Sequence, residues 1–219
     1  MKIIDPYVEI TKFDPDEMML RLEMAGRTCY KTEDKMTADS AKTFLRMIAG
    51  NGHHSVLEHE VIQVRFICDR GVTHELVRHR IAAYSQESTR FCNYGKSGGT
   101  TYIRPFFLAE TIDAYKAWES AMDQCERAYL WMLEFGCSPQ EARSVLPNSL
   151  KTEIVATMNI REWRNVFTQR CSAKAHPQMR QLMIPLLLKL RAMLPVLFAD
   201  INFDVNFSYS DYADVCMAE

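Results

Sequence analysis

Two stretches of this chain alternate apolar and polar positions with a period of two. In residues 60–68, Ile62, Val64, Phe66 and Cys68 share one face while Gln63 and Arg65 share the other. In residues 151–159, Thr152, Ile154, Ala156 and Met158 lie opposite Glu153, Val155 and Thr157. A strand with one buried face reads this way. Most of the rest has helical spacing. Residues 14–30 and 37–50 are expected to be helices, with Asp14 or Pro15 and then Thr37 as starts. Residues 72–80 read as a short helix. Residues 108–135 form a long one with no internal breaker, ended by Gly136. Residues 139–146, 161–171 and 177–198 complete the helical set, and residues 1–11 supply a first strand. Residues 91–105 read as a loop, with Gly95, Gly98 and Gly99. Few strands among long helices define an α+β class. No repeat or sharp domain boundary is visible; the glycine-rich loop at 95–100 is the weakest point.

With 219 residues and 47% hydrophobic content, the chain can bury one good core or two small ones. A formal net charge of −2 argues against broad nucleic-acid binding, so any basic site must be local and suited to a small anion. The seven cysteines are odd in number, scattered and free of any C-x-x-C pair, which suggests neither a disulfide framework nor a structural zinc site. A reducing cytoplasm fits. The N-terminal apolar run is too short for a signal peptide. Residues 182–201, broken by Lys189, Arg191, Asp200 and two prolines, read as a buried or interface helix and not a membrane span.

The densest chemistry lies at Arg78-His79-Arg80 and continues through Gln86, Glu87, Ser88, Thr89 and Arg90. Guanidinium forks match phosphate and carboxylate, and hydroxyls with an amide can read a polar ring. A helix end with cations complementing its dipole, followed by a polar loop, would also have this composition. A second cluster comprises Arg143, Asn159, Arg161, Asn165 and Arg170; on a helix Arg161 and Asn165 share a face, and Arg170 points elsewhere. Arg143, preceding Val145-Leu146-Pro147, is expected to be partly buried. Two such clusters in a mildly acidic chain suggest a planar anionic ligand such as a nucleotide.

Weaker patterns fare less well. Gly95-Lys96-Ser97 lacks the glycine five positions earlier that a phosphate loop needs; Arg90 stands there. Gly50-x-Gly52 follows a helix and so lacks the setting of a dinucleotide fingerprint. His53, His54, Glu58 and His59 resemble a metal cluster but lack His-Glu-x-x-His spacing, so no metal is expected. A metal-dependent hydrolase on those histidines, or a non-enzymatic nucleotide- or RNA-binding module, are the competing readings. Neither agrees with the closed polar clusters as well as a nucleotide-handling enzyme does.

The ordered set of motifs resembles the flavin-dependent thymidylate synthase family. Its signature is Arg-His-Arg, seven residues, then Ser, matched by Arg78-His79-Arg80 and Ser88. His53-x-Ser55-x-x-Glu58-His59 and Glu75-Leu76-Val77 precede it. Arg143-x-x-Leu146-Pro147, Asn159-x-Arg161, Asn165 and Arg170 follow in family order. Ala83 stands where the family often has Ser. The resemblance implies a small mixed or antiparallel sheet packed with long helices, residues 1–219 as one domain, and a homotetramer with sites at subunit interfaces. It implies synthesis of dTMP from dUMP, with methylenetetrahydrofolate as carbon donor and FAD and NADPH supplying the hydride. It places Glu75, Leu76, Val77, Arg78, Gln86, Glu87, Ser88, Thr89, Arg90, Arg143 and Arg170 at dUMP. It places His53, Ser55, Glu58, Arg78, His79, Arg80, Gln86, Asn159, Ile160, Arg161 and Asn165 at FAD. Arg170 is expected to activate the uracil by stabilising its deprotonated ring nitrogen 3. Ser88 is read as a binding hydroxyl, since a serine nucleophile needs an adjacent base and only Glu87 lies beside it in sequence. No cysteine nucleophile is expected.

Overall fold

A computed structural model describes residues 1–108 and 112–218. Its elements in chain order are β1 (Lys2–Ile4), β2 (Tyr7–Ile10), α1 (Pro15–Tyr30), α2 (Ser40–Gly50), β3 (Val61–Asp69), α3 (Arg70–Leu76), β4 (Ala83–Gln86), β5 (Thr101–Ile103), α4 (Asp113–Glu134), α5 (Pro139–Ala142), β6 (Lys151–Asn159), α6 (Ile160–Arg170), α7 (Pro177–Met193), α8 (Pro195–Phe198) and β7 (Asp214–Met217). Short 3-10 turns cover Glu33–Lys35, His54–His59, Arg143–Val145 and Tyr209–Asp211. The strands form a five-stranded sheet of order β4-β6-β3-β2-β7 and a two-stranded one. In the latter, β1 pairs in parallel with β5, Ile3 opposite Tyr102. The class is α+β, as the periodicities predict.

The chain divides into two compact units: residues 1–7, 66–78 and 84–155 in one, and 8–65, 79–83 and 156–219 in the other. The first has Phe66, Cys68, Leu76, Ile103, Tyr129 and Ile154 in its core, with Tyr102, Met122 and Leu150 packed on Tyr94, Trp118 and Leu146. The second buries Val8, Ile10, Leu22, Leu45, Ile48, Ile62, Val64, Met158, Trp163 and Phe167.

Each long strand ends on the residue that caps the next helix. Asp69 closes β3, and its carboxylate accepts from the Val72 N–H at 2.7 Å to start α3. Asn159 closes β6, and its side-chain oxygen accepts from the Glu162 N–H at 2.8 Å to start α6. A cap of this kind contributes about 1 kcal/mol and fixes where the helix begins. On β6, Thr152, Ile154, Ala156 and Met158 are the buried face, as the alternation requires.

Several boundaries differ from the sequence expectation. The first strand splits at Asp5-Pro6 into β1 and β2. Helix α2 starts at Ser40, three residues later than Thr37, whose N–H is instead taken by the Ser40 hydroxyl at 2.9 Å. Helix α4 starts at Asp113; the expected range from Leu108 includes residues 109–111, which lie outside the described residues. The predicted helix over 177–198 breaks at Leu194, before Pro195, as the residue preceding a proline avoids helical geometry. Helix α3 stops at Leu76 and does not run to Arg80, because the Tyr84 hydroxyl donates to the Leu76 carbonyl at 2.8 Å and satisfies the helix end. Strands β4, β5 and β7, of three or four residues, lay in segments read as loop or tail.

Pro185 sits inside α7, where it has no N–H for the carbonyl of Gln181. That carbonyl accepts from the Ala213 N–H at 3.0 Å, which anchors the chain just before β7.

Candidate functional site

In the second unit the cap at Asn159 sets the phase of α6. Trp163, Val166 and Phe167 face the core, and the Trp163 indole donates to the Ile62 carbonyl at 3.0 Å. The opposite face therefore carries Arg161, Arg164, Asn165 and Thr168, at spacings of three and four. Together with His54, Glu58, Ile81, Asn159 and Glu162 these line a cleft of about 560 Å³. Ligand clefts usually hold about 300–1,000 Å³.

The charges lining the cleft balance, Arg161 and Arg164 against Glu58 and Glu162. Arg161 Nη1 donates to Glu58 Oε1 at 2.5 Å. Arg164 grips Asp200 with both terminal nitrogens, at 2.8 and 2.6 Å, and also donates to the Leu197 carbonyl. The hydrogen-bonded Arg164 guanidinium holds the Asp200 carboxyl below the usual carboxylate range, against the opposing effect of burial. Of the residues expected at FAD, Glu58, Asn159, Arg161 and Asn165 line this cleft; Ile160 is buried beside it in sequence. His53 does not line it: its Nδ1 meets the Tyr30 hydroxyl at 2.8 Å, and the two rings stack. Ser55 and Arg80 are exposed. Ile81, Glu162, Arg164 and Thr168 were not singled out from the sequence, and His54 only within the metal-like histidine cluster, although the helical spacing from Arg161 and Asn165 contained Arg164 and Thr168.

The signature segment divides between the units: Arg78 belongs to the first and His79 and Arg80 to the second. Since α3 ends at Leu76, the three side chains are not on one helix. Arg78 and Arg80 are exposed, and His79 is buried. His79 Nδ1 lies 3.3 Å from Glu162 Oε1, and Arg170 Nε donates to His79 Nε2 at 3.0 Å. Burial and the Arg170 charge lower the His79 pKa, and Glu162 opposes them.

The first unit holds most residues expected at dUMP: Glu75, Leu76, Val77, Arg78, Gln86, Glu87, Ser88, Thr89, Arg90 and Arg143. Gln86 donates its amide to Thr73 and Thr152 hydroxyls at 3.0 and 3.2 Å. Glu87 accepts from the Tyr94 hydroxyl at 2.7 Å and Lys151 Nζ at 3.0 Å. Burial, then the Glu87 contact, pushes the Tyr94 phenol well up, so it stays a donor. Ser88 Oγ accepts from the Arg90 N–H at 3.3 Å. Arg143 Nη1 donates to Thr89 Oγ1 at 3.2 Å. Arg143 itself is exposed, against the expectation of partial burial; it sits in a 3-10 turn, Arg143–Val145, in which no residue is buried. Leu76 is core, and Val77 is exposed.

Among the described residues no three His, Cys, Asp or Glu side chains gather as a metal would need, and no helix is long and apolar enough to cross a membrane. The seven cysteines carry no disulfide; burial raises the Cys68 and Cys171 thiols.

The family model described as thymidylate synthase complementing protein matches residues 13–196. A flavin-dependent thymidylate synthase of Geobacter sulfurreducens is 35% identical over 184 residues, covering 81% of this chain and 79% of that one. The chain belongs to this family, the flavin-dependent thymidylate synthases. Its fold is similar to that of a thymidylate synthase X from Helicobacter pylori crystallised with FAD and dUMP, with TM-score 0.71 and 24% identity over 90% of this chain and 98% of that one. It is also similar to a UMP/dUMP methylase PolB from Streptomyces cacaoi bound with 5-Br dUMP, with TM-score 0.73 and 21% identity over 91% and 96%.

Proposed function

We propose that this chain makes dTMP from dUMP, with methylenetetrahydrofolate as carbon donor and NADPH as reductant. It does so in the cytoplasm, as a homotetramer whose sites draw on several subunits. The observation that carries this reading is the family match across residues 13–196, which spans both polar clusters in order.

The α6 cleft fits FAD by the chemistry of its donors: Arg161 for a phosphate, Asn165 and Asn159 for polar ring or ribose edges, with Glu58 holding Arg161 in place. The family resemblance also assigns His53, Ser55, Arg78, His79, Arg80, Gln86 and Ile160 to FAD. Bound FAD supplies the hydride that completes the new methyl group. Arg78, Arg90 and Arg143 hold the dUMP phosphate through charge-assisted bonds. Ser88 and Thr89 add hydroxyls; Glu75, Leu76, Val77, Gln86 and Glu87 shape the pocket. Arg170 sits against uracil nitrogen 3 and stabilises its deprotonated form, which raises electron density at carbon 5. Glu87 is already engaged by Lys151 and Tyr94, so it is a poor base for Ser88, which supports a binding role for that serine.

The test is product formation. Purified protein with FAD, NADPH, methylenetetrahydrofolate and dUMP should release dTMP, and omission of any one should abolish it. No dTMP from the complete mixture would refute the proposal.

A further inference from the structure

We infer that Glu162 is a positioning residue: it fixes the proton of His79 on Nδ1, so that Nε2 can hold the Arg170 guanidinium by its Nε–H. The inference rests on the reading of Arg170 as the group that meets uracil.

The direction of each bond follows from what each atom can do. An arginine Nε carries a hydrogen and never accepts. Arg170 Nε lies 3.0 Å from His79 Nε2, so that ring nitrogen must be the unprotonated one. The ring hydrogen is then on Nδ1, which lies 3.3 Å from Glu162 Oε1. Glu162 is itself held. Asn165 Nδ2 approaches its two carboxylate oxygens at 3.2 and 3.4 Å, and its backbone N–H is capped by Asn159. His79 is 5% exposed and Glu162 6%, so water does not compete for these positions. The lowered His79 pKa agrees, since an imidazolium has two donors and could not accept from Arg170. The same carboxylate thus joins the cofactor cleft, which Glu162 and Asn165 line, to the guanidinium at the far end of α6.

Without an acceptor at Nδ1 the proton is free to move to Nε2. Two donors would then face each other, and Arg170 would turn away. A glutamine can still accept through its amide oxygen; a methionine of similar length cannot.

The experiment compares wild type with Glu162→Gln and Glu162→Met. Long-range ¹⁵N–¹H spectra of labelled protein report the His79 tautomer, assigned with His79→Gln, and calorimetry on FAD-loaded protein reports dUMP affinity. Wild type and Glu162→Gln should show the Nδ1–H ring. Glu162→Met should show Nε2–H and bind dUMP about tenfold or more weakly, with Glu162→Gln within about threefold of wild type. An Nε2–H ring in wild type, an unchanged tautomer in Glu162→Met, or a changed tautomer with unchanged dUMP affinity would each overturn the inference. If wild type binds no dUMP, the reading of Arg170 fails, and the tautomer spectra still decide whether Glu162 sets His79.

Discussion

Arg161 and Glu58 meet at the cleft of the second unit, Nη1 to Oε1 at 2.5 Å, with side chains 54% and 44% exposed. An ion pair that exposed contributes about 0–1 kcal/mol, so a phosphate oxygen can replace the carboxylate at small cost. Loss of one charge-assisted contact costs about 1.5–3 kcal/mol. Arg161→Ala should therefore weaken FAD binding about 10- to 150-fold. Glu58→Gln, which removes only the competing charge, should change it by less than about fivefold. Flavin fluorescence titrations of the apoprotein check both, and equal losses would contradict the assignment of Arg161 as the ligand.

Arg170 separates the two halves of the chemistry. Arg170→Ala should lower kcat/KM for dUMP about 10- to 150-fold. Its FAD affinity should stay within about threefold of wild type, because the residue does not line the α6 cleft. Steady-state dTMP formation beside a flavin titration measures the split. Near-normal turnover would refute the uracil-activating role.

Ser88→Ala should keep measurable dTMP synthesis. The serine is half-buried, its Oγ accepts from the Arg90 N–H, and the neighbouring carboxylate is already bonded. Complete loss of product with dUMP affinity intact would instead assign the hydroxyl as a nucleophile.

His79 makes stability depend on pH with a definite sign. Its folded pKa lies below the ordinary imidazole value of 6.5. Above 6.5 both folded and unfolded rings are neutral, and the contribution is complete. As pH falls from there toward the folded value, the unfolded chain takes up the proton first, so stability declines. Urea unfolding at about pH 7 and about pH 5.5 should show a larger loss for wild type than for His79→Gln. A smaller loss in wild type would contradict a neutral buried ring.

The legible part of the fold is the part with long periodicity. Strand β6 falls at residues 151–159 as its alternation requires, and α6 follows because Asn159 both ends the strand and caps the helix. The short strands were illegible because three or four residues carry no usable period. β5 is set by its parallel register against β1, and β7 is anchored by the Ala213 bond to the carbonyl that Pro185 leaves unpaired. Of the residues that the sequence grouped at a cofactor, Glu58, Asn159, Arg161 and Asn165 do share a cleft. Glu162 was invisible because a glutamate in a first helical turn is ordinary helix chemistry. Its role comes from His79, 83 residues distant in sequence, reaching it at 3.3 Å. The end of α3 was missed for a similar reason, since it depends on the hydroxyl of Tyr84.

The most direct measurement is an absorbance spectrum of the wild-type protein and of Arg161→Ala after loading with FAD and desalting. Wild type should retain a flavin band that bleaches on adding NADPH in the presence of dUMP, and Arg161→Ala should largely lose it. A wild-type protein that stays colourless would contradict flavin-dependent chemistry in this chain, and a band retained equally by both would move the cofactor away from α6.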